Sequence, residues 1–502
     1  MLWNPKSGKS LLLLCAVLLA AATAASCGDS PSADKPSGQT DPVVTETAET
    51  QDPLRAQYAD IAPIPEDTGG YEFRVTVDQG SVLVSNQVQW DADEENGDTI
   101  NDAVYRRNLA VEEQYNCTIT LLTAEEDDEV ARSAVMAGDD FTDLMVIDSM
   151  SQTTDLAAIG IFMNLSNLPE LRIDAPWWDQ PIRELSIYGK QYVTAGAITI
   201  KDDLSQMCVM FNKELATKYD YEDFYQHALD GTWTWELMKS RCKDLFSDLN
   251  GDGEMGIPDL YGMITFSDGP YFMAVGGNMH TVLYDAENEE YLSNWMSEDV
   301  MTKLTDYVDF AISNPSVIIR DSRRAENVFG DDGEAISDVF RENRALFWVG
   351  NFGASVNMRD MESDFGLLPI PKWNEEQENY CCTVTGGSAP VTIPITVPDP
   401  HITALIAEAM AYESMFTLTP AFYDVFLDEK ILRDEDSLAT VDMMFASKKY
   451  DFDWQLDITE IDRKISDMVE SHANKLVKVI ASNEKSSQKK ITKYVEKYED
   501  LD

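Results

Sequence analysis

Polar and apolar positions alternate through "YEFRVTV" (71–77), a period of two that predicts a half-buried strand. The period then lengthens. In "DTINDAVYRRNLAVEEQYN" (98–116), Ile100, Val104, Leu109, Val111 and Tyr115 recur at helical spacing. "CTITLLT" is a second strand, "DDEVARSAVMAGDD" a short helix closed at Gly138, and "FTDLMVID" (141–148) a nearly all-apolar third strand. Strands and helices in this rhythm predict right-handed βαβ units and a parallel sheet.

The middle of the chain changes character. "GKQYVTAGAITIKDDLSQMCVMFNKEL" (189–215) is strand-rich and then apolar. "TWTWELMKSRCKDLFSDL" (232–249) is helical, with Thr234 as N-cap and Glu236 in its first turn. A further helix is expected over 299–312, a buried strand over 344–354 running into a Gly-rich turn, and a Pro-stopped strand over 365–373. From 401 the pattern is mostly helical, and no internal repeat is visible.

The N-terminus sets the compartment. Lys6 and Lys9 precede the apolar run "LLLLCAVLLA" and the small residues of "ATAASCGDS", the layout of a signal peptide over 1–26. Ala24-Ala25-Ser26-Cys27 resembles a bacterial lipobox, with Ala24 where Leu is usual. The resemblance implies lipid modification of Cys27 and a chain anchored on the outer face of the cell membrane. Plain secretion is the alternative. Residues 27–70 are rich in Pro, Ser, Thr, Asp and Glu, too poor in large apolar groups to fold, and are expected to be a disordered tether.

Composition narrows the partners. The chain has 502 residues, 44% of them hydrophobic, enough for two or three domains' worth of core. Its formal net charge is -52. Nucleic acid is excluded as a partner for want of basic clusters that would displace counterions, and anionic lipids or polymers are disfavoured. Beyond Cys15 and Cys27, the cysteines are Cys117, Cys208, Cys242, Cys381 and Cys382, an odd number that argues against a disulfide framework.

One motif stands out. In "SDLNGDGEMGIPDLYG", Asp248, Asn250, Asp252, the carbonyl of Glu254 and Asp259 occupy positions 1, 3, 5, 7 and 12 of a calcium loop, with Gly253 at the sharp turn. Asp259 stands where Glu is usual, and Pro258 with the strand-like "MITF" argues against an exit helix. A single loop predicts a structural Ca2+ clip, not a sensor. The sequence holds no HExxH, G-x-S-x-G or P-loop, and its four histidines are scattered, so catalysis finds no support.

Taken in order, "MAGDDFTDLMVID", "YGKQYVTAGAI" with "MCVMFNKEL", "TWTWELM", "NRALFWVGNFGA", "FGLLPIPKW" and "VFLDEKILRDEDSLATVDMM" resemble the extracellular solute-binding proteins (family 1 type) of carbohydrate ABC transporters. The resemblance covers about 70–480. It implies a periplasmic-binding-protein-like α/β fold: two lobes, a hinge and a central cleft. Lobe 1 would comprise 71–205 and 345–395, and lobe 2 206–344 and 396–502. It further implies a monomeric, non-enzymatic receptor that hands a sugar or oligosaccharide to permease subunits. By family position, Asp148, Ser149, Met150 and Gln152 would line the cleft after the third strand. Trp178, Tyr271, Phe352 and Trp454 would offer aromatic faces, and Asp203 a hydroxyl acceptor. A secreted carbohydrate-active enzyme, a peptide or other polar-solute receptor, and a surface adhesion lipoprotein are the alternatives.

Overall fold

The alternating stretch at 71–77 forms a strand, and the apolar run at 141–148 supplies its neighbour. The structure, a computed structural model, describes residues 53–501 apart from 79–88, 126, 321–332, 357, 359–360 and 428–434. Its strands are β1 (Tyr71–Asp78), β2 (Cys117–Ala124), β3 (Leu144–Val146), β4 (Met207–Asn212), β5 (Tyr261–Phe266), β6 (Val282–Asp285), β7 (Glu290–Ser293), β8 (Val317–Arg320), β9 (Ala345–Asn351), β10 (Phe365–Leu368), β11 (Cys382–Thr383), β12 (Val391–Thr392) and β13 (Lys448–Lys449).

The first sheet has the order β12-β3-β1-β2. β1 runs parallel to β2 and β3, as the βαβ rhythm predicts, and β12 closes the edge antiparallel to β3. The crossover helix Thr99–Tyr115 starts where the Asp98 side chain accepts from Asn101 N, and stops at Asn116 in the left-handed region. It buries Ala103, Val104, Arg107, Asn108, Val111 and Tyr115, whereas Leu109 is largely exposed. The second sheet has the order β10-β4-β9-β5-β8, with β9, β5 and β8 parallel and β4 reversed between β9 and β10.

Two lobe assignments and the end of the tether differ from expectation. Residues 345–395 were assigned to the first lobe, but β9 and β10 bond to β4 of the second sheet, and only β12 returns to the first. A strand belongs to the sheet that satisfies its N–H and C=O groups. Residues 396–502 were assigned to the second lobe, yet Ala404, Leu405, Ile406 and Ala407 of the helix Pro400–Ser414 pack with Phe73, Val75 and Val77 of the first. The tether expected over 27–70 ends earlier. Arg55 pairs with Glu413 and stands 4.3 Å from the Phe416 ring, and Thr68 donates to the carbonyls of Tyr115 and Asn116. These partners lie far off in the sequence. Residues 1–52, Cys27 among them, lie outside the described residues.

Within the first lobe one buried carboxylate does much of the stitching. Glu408 accepts from Trp177 Nε1 (3.0 Å), Trp178 Nε1 (2.7 Å), Arg172 N and Arg172 Nε (both 3.1 Å). It thereby ties the loop at 172–178 to a helix more than two hundred residues away. Removing one member of a buried charged network costs about 3–5 kcal/mol. Glu408→Ala should therefore lose about that much in urea unfolding, and a loss below about 1 kcal/mol would show that the loop is held by packing alone.

Candidate ligand site at the lobe crossing

Three segments run between the lobes and bond to one another. Thr385 N donates to Ser205 O, Val384 N to Lys449 O and Cys382 N to Ser447 O, while β11 and β13 pair in parallel. Phe352 N donates to Gln206 O, so the end of β9 sits on the first crossing. In open α/β sheets ligands bind beyond the carboxyl ends of the strands, and the crossing brings such ends from both sheets together.

Charge collects here. Lys201 Nζ donates to both oxygens of Asp148, at 3.0 and 3.3 Å, its own side chain being fully buried. Lys448, also buried, stands 2.5 Å from Asp202, 2.6 Å from Asp203 and 3.6 Å from Asp179. Tyr450 OH donates to Asp179 at 2.7 Å. One ammonium thus faces three carboxylates. Burial pushes the Asp202 carboxyl up to about 7. Lys448 draws it back, and the charges of Asp203 and Asp179 push it further up. The other oxygen of Asp202 is buried with no hydrogen-bond partner.

Beside Asp203 lies an aromatic patch. Phe352 packs against Phe422 (6.0 Å between centroids) and Phe445 (5.2 Å), and Phe445 packs against Tyr423 (5.7 Å). Phe352 is fully buried, whereas Tyr423 and Phe445 are half-buried. Burial, then the charges of Asp203 and Asp442, raises the Tyr423 hydroxyl pKa. Burial likewise raises Asp442. The helix Leu418–Leu427, which carries Tyr423, also packs against the first-lobe helix Thr99–Tyr115.

The residues expected to bind ligand divide. Asp148 is half-buried at the end of β3, and Ser149 caps the helix Met150–Ala157 by accepting from Gln152 N. Gln152 is exposed, and Asp203 keeps 21% of its side chain in solvent. Trp454 is half-buried and stacks on Tyr271 at 5.6 Å. Four others are core. Met150 is fully buried, its N–H on Gly386 O. Trp178 is spent on Glu408. Tyr271, 1% exposed, donates to Asp451 at 2.6 Å and stands under Trp454. Phe352, 1% exposed, is the floor of the aromatic patch. The expectation that the last two rings face a solute is corrected: segment 451–454 covers Tyr271, and Phe422 with Phe445 cover Phe352. The structure joins Asp148 to the first crossing through Lys201, and Asp203 to the third through Lys448. Tyr423, Asp442, Phe445 and Lys448 escaped the sequence reading. "FASKKYDFDW" (445–454) held a signal in its paired lysines, since a lysine among apolar residues needs a carboxylate.

The acidic loop folds on itself. Asp248 accepts from Gly251 N and Gly253 N, Asn250 from Asp252 N, Asp252 from Glu254 N, and Asp259 from Leu249 N and Gly256 N. Gly253 has φ 87°, the left-handed turn that its position demands. Ser247 and Leu260 bridge its ends, and β5 follows directly, with no exit helix. Among the described residues no three His, Cys, Asp or Glu side chains gather as a metal group. The five described cysteines, Cys117, Cys208, Cys242, Cys381 and Cys382, are free thiols.

No family model matches this chain, and no curated protein does. Solved structures do, and the fold of this chain is similar to theirs. One is the ABC substrate-binding protein Lmo0181 from Listeria monocytogenes in complex with cycloalternan. It is 13% identical, with 84% of this chain and 99% of that one covered at a TM-score of 0.52. Another is the maltose/maltodextrin-binding domain MalE from Bdellovibrio bacteriovorus bound to maltotriose, also 13% identical, with 84% and 100% covered at a TM-score of 0.51.

The Asp202 carboxyl supplies a pH test. Its pKa is raised in the folded protein, so its contribution to stability is full below the ordinary carboxylate range and is lost as pH rises to about 7. Relative to the wild type, Asp202→Asn should gain melting temperature steadily between pH 4 and 7 and hold level above 8. An offset independent of pH would show that Asp202 titrates normally.

Proposed function

We propose that this protein captures a sugar or oligosaccharide outside the cell, closes its lobes on it and delivers it to an ABC importer without chemical change. The observation that carries this reading is coverage. The chain spans 99% and 100% of two sugar-complexed substrate-binding chains. The crossing adds the chemistry a sugar needs: half-buried faces at Tyr423 and Phe445 for the ring, and Asp203 and Asp442 for its hydroxyls. Asp148 and the exposed Gln152 lie on the first-lobe side.

A melting screen over mono- and oligosaccharides tests it. A ligand at about 100 times its dissociation constant stabilises by roughly 2.7 kcal/mol. Tyr423→Ala should weaken the best ligand about ten- to a hundredfold, an aromatic face contributing about 1.5–3 kcal/mol when covered. Tyr271→Ala and Phe352→Ala should instead lose about 3–5 kcal/mol of stability, as buried aromatics do. No stabilisation by any glycan, or recovery of cleaved glycan, would contradict the reading.

The acidic loop would hold one structural calcium ion through Asp248, Asn250, Asp252, the Glu254 carbonyl and Asp259. Asp259, buried between Leu249 N and Gly256 N, braces the loop. Hard oxygen donors suit this ion. The ion would fasten the helix Trp235–Cys242 to β5. Chelator should lower the melting temperature, and Asp252→Ala should abolish that sensitivity. Absence of calcium from the purified protein, with no chelator effect, would leave the loop a plain turn.

The anchor is proposed on the lipobox-like sequence at Cys27. The segment 28–52, as a coil of about 25 residues, would reach roughly 25–30 Å from the membrane. In a bacterial host, the wild-type chain should sediment with membranes and Cys27→Ser should not. Equal partition of the two would remove the anchor.

A further inference from the structure

The net charge of -52 conceals one face of the opposite sign. Between 475 and 497 the chain carries seven lysines against two glutamates. Most of this stretch is the helix Leu476–Glu496, whose buried side is divided. Leu476 and Ile480 pack in the second-lobe core, while Ile491, Tyr494 and Val495 pack with Met145, Ile147 and Leu156 of the first. The helix is a strut gripped by both lobes.

Its outer face is a line of charge. Lys478, Lys485, Lys489 and Lys493 are all exposed. Their spacing of 7, 4 and 4 residues puts them on one stripe, about 22 Å long at 1.5 Å per residue. Lys490 is turned aside to Glu460. Among the described residues none of the four stripe lysines forms an ion pair. Ser482 and Ser486, both exposed, lie between them, so the stripe has no large apolar side chain to insert into a bilayer.

We propose that this face docks on an anionic phospholipid surface. The stripe carries no exposed aromatic ring on which a nucleic-acid base could stack. A flat layer of phosphates meets all four ammonium groups at once. The net charge disfavours anionic lipid only where it is evenly spread. At about 0.1 M salt the Debye length is about 10 Å, so the membrane senses chiefly the docked face. The acidic remainder of the surface then orients the protein, because other faces are repelled. One helix carries both lobes, so docking it fixes the lobe crossing relative to the membrane.

The test uses residues 27–502 carrying Cys27→Ser, so that neither the apolar signal peptide nor an acyl chain contributes. It is sedimented at about 0.1 M salt with vesicles of phosphatidylglycerol and phosphatidylcholine, and with phosphatidylcholine alone. The account expects binding to the first, none to the second, and release near 1 M salt. Lysines near an anionic surface each contribute about fivefold. Converting Lys478, Lys485, Lys489 and Lys493 to Gln should therefore weaken partition by about two orders of magnitude or more without changing the melting temperature. Arg at the same four positions should preserve it. No binding to anionic vesicles, or equal binding by the Gln variant, would overturn the proposal. Binding to soluble polyphosphate without binding to vesicles would reassign the face to an anionic polymer and overturn the lipid.

Discussion

The Lys448 ammonium, buried among Asp179, Asp202 and Asp203, is the constraint around which the lobe crossing is built. Its stem belongs to β13 on the third crossing, which pairs with β11 on the second. Asp202 and Asp203 sit on the first crossing, and Asp179 N is bonded to Ala195 O within the first lobe. A buried charge must be paired, because the cost of leaving it uncompensated exceeds that of any local rearrangement. Three chain segments are therefore held to one geometry by a single cation. The excess of carboxylates is eased at Asp202, whose pKa burial moves toward neutrality.

The aromatic patch depends on the same knot. Asp203 keeps part of its carboxylate in solvent, and its charge acts on the Tyr423 hydroxyl. Phe352, at the end of β9, supports the patch from below. The half-exposed rings therefore rest on the second sheet, while the Leu418–Leu427 helix that carries one of them leans on the first lobe. A solute at the proposed site would touch elements of both lobes, as closure on a ligand requires.

Much of the fold was legible because it is local. The alternation at 71–77, the capped helix 98–116 and the apolar run at 141–148 each carry their own period, and β1, β2 and β3 pair as that rhythm predicts. Lobe membership was less legible, since it rests on partners distant in sequence. β9 joins β4 through pairs such as Val349 with Val209, and the helix Pro400–Ser414 joins the first core, and no periodicity reports either choice. Among the expected site residues, Asp148 and Asp203 were named from family position, and both stand at the crossing in ion pairs with Lys201 and Lys448. Tyr271 and Phe352 were placed in the cleft by family position, and an aromatic residue reads the same in a sequence whether it faces solute or core. Asp451 and Phe445, which cover them, come from the last sixty residues of the chain.

If the lobes close on a sugar about the crossing tied by Lys448, the molecule becomes more compact as the site fills. Small-angle X-ray scattering of the protein, with and without the glycan that most raises its melting temperature, reads that change. A smaller radius of gyration is expected with the glycan, reversed when the glycan is dialysed away. An unchanged radius with the site saturated would mean that the lobes do not close.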